Sequence, residues 1–204
     1  MTNAKAAVFD LGNVLLQWNP EAYYDAVIGP ERRKAFFDRV PVDTLNDRSD
    51  LGEDLSSLVR EFAPLYPDWE REIQMWWEDW PKICAPEIPG SVDLLKRLKE
   101  RGVPVYSLTN FGVETLNIAT RTYPFLSLFD REFVSGHLQV MKPDDGIYEA
   151  LEKGTGLTGS DLIFADDRAD NIAAAKARGW QTHLFEHPEG WELALIRAGL
   201  LEAG

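Results

Sequence analysis

Four short segments of this chain carry side chains able to do chemistry. Asp10 closes the apolar run Ala6-Ala7-Val8-Phe9 and precedes Leu11-Gly12-Asn13-Val14. A carboxylate where a buried strand ends can attack an electrophile or hold a metal, although Asp near Gly also describes a common turn. Ser107-Leu108-Thr109-Asn110 puts a hydroxyl and an amide at another strand end. Both can donate to phosphate oxygens, or simply form a turn. In Met141-Lys142-Pro143 a lysine fixed by the following proline can neutralise a carboxylate–phosphate pair, or merely sit on the surface. Phe164-Ala165-Asp166-Asp167-Arg168-Ala169-Asp170-Asn171 sets two adjacent carboxylates after an apolar run, with a third one helical turn on. Adjacent carboxylates repel unless a cation is present. This is a hard-oxygen set of the sort Mg²⁺ takes. Helix N-capping by Asp167, with first-turn acids complementing the dipole, explains one or two of these acids but not three so comfortably.

These groups need a scaffold that brings strand ends together. Ala6–Phe9, Val103–Leu108 and Leu162–Ala165 are short apolar runs that stop at polar residues, and read as buried parallel strands. Gln181 to Phe185 is a fourth candidate. Helical patterns lie between them: Ser91 to Arg101 stopped by Gly102, Gly146 to Lys153 stopped by Gly154, and Ile172 to Arg178 stopped by Gly179. Strands alternating with such helices imply an α/β fold, a Rossmann-like doubly wound parallel sheet. Sites in that architecture form beyond the carboxyl ends of the strands, where Asp10, Thr109 and Asp166 all fall.

Residues 17–84 show no good strand. Helical patterns run through 21–28, 31–39, 51–62 and 68–80, and the stretch holds five of the seven tryptophans. An inserted all-helical cap domain over 17–84, with a core domain made of 1–16 and 85–204, is the simplest account. Its tryptophans read as helix-packing core. Leu16–Pro20 and Ile83–Pro89 are the expected hinges, punctuated by Pro20, Pro81, Pro86 and Pro89.

The chain has 204 residues, 45% of them hydrophobic, which suits a globular domain with a substantial insertion. No apolar run approaches the roughly 20 residues of a membrane helix. Met1-Thr2-Asn3-Ala4-Lys5 passes straight into the first strand, so no signal peptide is visible. One cysteine, Cys84, excludes an internal disulfide and reads as a buried inert thiol. A cytoplasmic location is expected. The net charge of −13 disfavours nucleic acid and anionic lipid, and obliges any phosphate site to supply local positive charge. His137, His183 and His187 lack metal-ligand spacing.

Taken in order, the four segments resemble the motifs of the haloacid-dehalogenase-like superfamily, from Ala6 to about Gly179. Phe-Asp-Leu-Gly-Asn-Val is similar to a phosphatase branch that includes bacterial sugar-1-phosphate phosphatases, and the helical insertion resembles that family's small cap. The resemblance implies that Asp10 is both nucleophile and metal ligand. It implies further metal contacts from the Gly12 carbonyl and Asp166, with Asp167 or Asp170 behind through water. Thr109, Asn110 and Lys142 would hold the transferring phosphoryl group. The implied activity is Mg²⁺-dependent hydrolysis of a small phosphate monoester, a sugar phosphate above all, by a monomer or homodimer. One departure stands out: the usual second Asp, the general acid and base, is here Gly12. Another group must then protonate the leaving oxygen, or the substrate must carry a good leaving group, such as an anomeric or aryl oxygen. A 2-haloacid dehalogenase also lacks that second Asp, but needs no metal and would be hindered by Asp166 and Asp167. A degenerate, non-catalytic binding protein is the other alternative, against which Asp10, Lys142 and Asp166 all count.

Overall fold

Successive side chains of a strand point to opposite faces, so a strand with no polar position must be covered on both. The computed structural model, which describes residues 3–202, shows this for β1 (Ala6–Phe9). Ala6 and Val8 join one apolar cluster, Ala7 and Phe9 another. Met1, Thr2, Ala203 and Gly204, at the outer ends of the expected core unit and of the amino-terminal segment, lie outside the described residues.

After β1 comes a run of helices: α1 (Pro20–Ile28), α2 (Pro30–Arg39), α3 (Val42–Asp50), α4 (Leu55–Phe62), α5 (Glu70–Glu78) and α6 (Trp80–Ile83). Strands and helices then alternate: α7 (Pro89–Glu100), β2 (Val105–Thr109), α8 (Val113–Thr122), β3 (Arg131–Val134), α9 (Ser135–Leu138), α10 (Asp145–Thr155), β4 (Leu162–Asp166), α11 (Ala169–Ala177), β5 (Gln181–Leu184) and α12 (Pro188–Arg197). The five strands form one parallel sheet in the order β3-β2-β1-β4-β5. α7, α8 and α12 contribute to the apolar cluster on one face, α10 and α11 to that on the other. This is the doubly wound α/β arrangement. Among the described residues no helix is long and apolar enough to cross a membrane.

Three expectations are corrected. The helix expected over 146–153 does not stop at Gly154: α10 runs on to Thr155, and Gly156 ends it at φ +73°. The helix expected over 51–62 starts only at Leu55. α3 ends at Asp50, Gly52 turns the chain at φ +104°, and Asp54 starts α4 by accepting the Ser57 amide at 3.1 Å. β3 has no counterpart in the apolar runs because it is an edge strand. Arg131 and Glu132 are exposed, and only Phe133 and Val134 are buried.

The helical insertion shares its core with the sheet. Tyr24, Phe36, Leu58 and Trp76 belong to the same buried cluster as Phe9, Leu95 and Trp191. Trp80 meets Phe111 edge to face at 5.4 Å, an arrangement aromatic pairs favour. The connections into and out of the insertion run side by side. Gln17 donates to the Pro86 carbonyl at 2.9 Å, and Ile88 to that of Leu15 at 2.8 Å. The two expected hinge segments are therefore tied to one another.

Candidate active site

The parallel sheet brings the ends of β1, β2 and β4 side by side, with Phe9 paired to Ser107 on one side and to Ala165 on the other. Asp10, Thr109 and Asp166 thereby become neighbours although they are far apart in sequence. Lys142 arrives from the loop between α9 and α10. Its Nζ lies 2.9 Å from Asp10 Oδ1 and 2.6 Å from Asp166 Oδ2, with 1% of the side chain exposed. Lysine is almost never buried unless paired, and here two carboxylates pair it.

The supporting contacts are as specific. Asp10 Oδ1 also accepts the Leu11 amide at 2.7 Å. Asp166 accepts the Arg168 amide at 2.8 Å, and Asn171 Nδ2 reaches both of its oxygens at 3.0 Å. Asp167 accepts from Asn13 Nδ2 at 3.0 Å, while Asn13 Oδ1 takes the Trp18 amide at 2.9 Å. Asn13 holds this pose with φ +53°, a left-handed conformation that Asn tolerates better than most residues. Asn110 makes a reciprocal pair with the main chain of Lys142: Nδ2 donates to its carbonyl at 2.9 Å and Oδ1 accepts its amide at 2.8 Å. The Asn110 side chain thus fixes the lysine loop. The Thr109 hydroxyl is buried and has no partner of full hydrogen-bond geometry among the described residues. It lies close enough to Asp10 to lower that group's pKa slightly.

Burial pushes the Asp10 carboxyl up to about 7; Lys142 opposes this and Asp166 adds to it. Burial pulls Lys142 down, but Asp10 and Asp166 more than offset it and hold the ammonium above the ordinary lysine value. Ligand oxygens of Asp10, Asp166 and Asp167 lie within 4.8 Å of one another. Three carboxylates at that spacing fit a hard divalent cation with few protein ligands. Asp170 does not join them; its carboxylate pairs with Arg168 at 2.8 Å. Gly12 lines the cavity beside Asp10.

That cavity, of about 270 Å³, is closed on its far side by the helical insertion. Asn46, Asp47, Ser49 and Asp50 of α3, with Trp80 and Cys84, face Asp10 and Lys142 across it. A wider mouth of about 500 Å³ adjoins it and adds Phe37, Asp43, Trp76 and Met141. Cys84 is inert: burial, with Asp50 adding, pushes its thiol up to about 12. Sequence reasoning missed the residues of α3 altogether. Val42, Leu45 and Ser49, buried at i, i+3 and i+7, were the available signal, but only two of the three are apolar. It also missed the carboxylate-holding roles of Asn13 and Asn171, which depend on contacts between segments.

Residues 4–179 match the haloacid dehalogenase-like hydrolase family. A sesquiterpene phosphatase from Aspergillus oryzae is 28% identical over 185 residues, spanning 87% of this chain and 88% of that protein. An (S)-2-haloacid dehalogenase from Pseudomonas sp. strain YL is 28% identical over 122 residues, 55% of this chain and 51% of that one. Among solved structures, an HAD family enzyme from Bacteroides thetaiotaomicron superposes with a TM-score of 0.72 at 21% identity, over 94% of this chain and 98% of its own. A structure of that enzyme in complex with magnesium and inorganic phosphate gives 0.67 at 20% identity, over 90% and 95%.

Proposed function

This chain belongs to the haloacid dehalogenase-like hydrolase family, and from that premise we propose that it is a Mg²⁺-dependent phosphatase of small phosphate monoesters, working through an aspartyl phosphate on Asp10. The observation that carries the proposal is the acidic trio of Asp10, Asp166 and Asp167 at metal-ligand spacing. A dehalogenase has no use for such a trio beside its nucleophile, since halide leaves as an anion without a metal. The magnesium–phosphate complex of the Bacteroides relative supports the same reading.

Asp10, Asp166 and Asp167 would hold Mg²⁺, with the Gly12 carbonyl as a further ligand. Bound there, the ion offsets phosphate charge as the nucleophile approaches. The chain's own residues do the rest. The Leu11 amide and Lys142 fix the orientation of the Asp10 carboxylate for attack on phosphorus. Lys142 spreads positive charge over carboxylate and incoming phosphoryl group. The buried Thr109 hydroxyl, beside Asp10, is a donor that can turn to a phosphoryl oxygen. Asn110 serves by holding the lysine loop. α3 and Trp80 exclude water from the reacting end of the substrate. The same reading treats residues 17–84 as a cap that selects the substrate.

Sugar phosphates are the leading substrate class. Asn46 and Asp47 offer hydrogen bonds to hydroxyls, and Trp18 lines the same cavity. A second class has its own support. The Aspergillus relative is a sesquiterpene phosphatase, and Trp18, Phe37, Trp76 and Met141 give the mouth an apolar side. Phosphate release is the test. Hexose 1- and 6-phosphates, a C15 prenyl monophosphate and an aryl phosphate are assayed with Mg²⁺ and after chelation. Release that needs both Mg²⁺ and Asp10 is expected. Full activity after exhaustive chelation, or halide release from a 2-haloacid in place of phosphate release, overturns the reading.

A further inference from the structure

Gly12 leaves the catalytic machinery without an acid beside the nucleophile, and the far wall of the cavity carries two, the exposed Asp47 and the more enclosed Asp50. Resting on the phosphatase reading, we propose that Asp50, at the carboxyl end of α3, is the general acid and base of the reaction, supplied from the cap in place of the missing core carboxylate.

Asp50 lines the same cavity as Asp10 and Lys142. It is held there from several sides. Asn46 Nδ2 donates to its Oδ2 at 3.0 Å. Its main-chain carbonyl accepts the Ser135 hydroxyl at 2.6 Å, which ties the helix end to the carboxyl end of β3. The seam between insertion and sheet is also too close for side chains. A Cβ on Gly112 would lie 2.5 Å from Ser49 Oγ, and one on Gly52 would lie 2.5 Å from the Gly136 carbonyl oxygen. These contacts seat the end of α3, and Asp50 with it, against the core.

The environment favours a proton on this carboxyl. Burial above all, with Asp47 on its own helix and Asp10 across the cavity adding and Asn46 and the Gly112 amide opposing, raises it to about 7. Other neighbours are committed elsewhere. Arg48 pairs with Glu53 and Glu61, Glu114 on α8 accepts the Ser56 amide, and His137 on α9 is exposed. Cys84 faces it as a neutral thiol. An acid poised near neutrality is what proton transfer in both directions requires.

The steps balance. Asp10 attacks phosphorus, the bond from phosphorus to the ester oxygen breaks, and that oxygen leaves as an alcohol carrying the Asp50 proton. Asp50, now a carboxylate, takes a proton from a water whose oxygen attacks the phosphorus of the aspartyl phosphate. The bond from phosphorus to the Asp10 oxygen breaks, releasing inorganic phosphate and restoring both carboxyl groups to their starting states.

Leaving groups of different acidity test this. Wild type, Asp50→Asn and Asp47→Asn are compared on a hexose 6-phosphate, whose alkoxide needs a proton, and p-nitrophenyl phosphate, whose phenolate does not. Asp50→Asn is expected to lower kcat/KM for the alkyl ester by about 10²–10⁴-fold and to affect the aryl ester far less. Wild-type kcat/KM for the alkyl ester should fall at high pH along a limb absent with the aryl ester. Gly12 has room for a side chain, since its Cβ would meet only Trp18 Cβ, at 4.0 Å. Gly12→Asp added to Asp50→Asn should therefore recover much of the lost alkyl-ester activity. Equal losses on both esters, no loss on either, or a leaving-group effect confined to Asp47→Asn overturns the proposal. Should Asp50→Asn fail to fold, a wild-type pH profile identical for the two esters overturns it as well. The phosphatase reading fails differently, in a wild type that releases phosphate from neither ester.

Discussion

Lys142→Ala is the perturbation whose consequences the structure defines most closely. The ammonium is buried between Asp10 Oδ1 at 2.9 Å and Asp166 Oδ2 at 2.6 Å. After its removal Asp166 keeps the Asn171 amide and Asp10 keeps the Leu11 amide, but no cation remains between them. Removing one partner of a buried ion pair typically costs about 3–5 kcal/mol. At about 2–4 °C per kcal/mol for a chain of this size, the chelated variant should melt about 6–20 °C below wild type. Lys142→Met restores volume without charge and should melt nearly as low, which separates the electrostatic loss from a cavity. Lys142→Ala combined with Asp10→Asn should regain stability, because one of the two carboxylates is gone. Turnover should fall by about 10²–10³-fold through loss of charge stabilisation, while Mg²⁺ binds more tightly with the competing cation removed. Thermal unfolding, Mg²⁺ titration by calorimetry and phosphate release measure all three. A variant with wild-type melting temperature and near wild-type kcat would refute the reasoning.

Asp10→Asn should fold and bind Mg²⁺ more weakly, with phosphate release at background in a continuous assay. Asn171→Ala frees Asp166 from the amide that holds both of its oxygens, so the Mg²⁺ concentration for half-maximal activity should rise about 10–100-fold. The Asp50 carboxyl sits near 7 in the folded chain, against an ordinary value of 3.8. The folded state therefore binds more protons than the unfolded one between those values. The stability contributed by Asp50 is fully present below about pH 4 and is lost as pH rises to about 7. Asp50→Asn should accordingly gain stability relative to wild type as pH rises through that window, read as the difference in melting temperature between the two chelated proteins. A difference that does not change with pH would show that the carboxyl is not held high.

The parts of the fold legible in the sequence are those built from continuous apolar runs. β1, β2 and β4 are buried on both faces, so every position along them had to be apolar or small, and the polar residue that ended each run marked the sheet edge. β3 escaped because half of it, Arg131 and Glu132, is charged and exposed, which leaves only Phe133 and Val134 as an apolar signal. α3 escaped because its buried stripe is short and part polar, and the pattern of the following helix was carried back across Gly52. Losing α3 meant losing Asn46, Asp47 and Asp50, the far wall of the cavity. Lys142, Asp10 and Asp166 were legible as separate motifs; the parallel sheet brings the two aspartates together, and the loop held by Asn110 brings the lysine to them. Asp170 followed the same spacing logic, yet pairs with Arg168, two residues before it. The amide side chains that hold Asp166 and Asp167 come from Asn171 and Asn13, and nothing in the local pattern distinguishes these amides from turn residues.

The central claim is that Asp10 carries the phosphoryl group. Rapid acid quench of a reacting mixture, followed by mass spectrometry of the Asp10 peptide, addresses it most directly. With Mg²⁺ and a phosphate ester turned over in H₂¹⁸O, that peptide should gain the mass of one phosphoryl group transiently. The ¹⁸O should then appear in inorganic phosphate and not in the Asp10 carboxylate, because water attacks phosphorus. Phosphate release with no modified peptide at any time point, or ¹⁸O entering Asp10 as hydrolysis at its carboxyl carbon demands, would contradict the account.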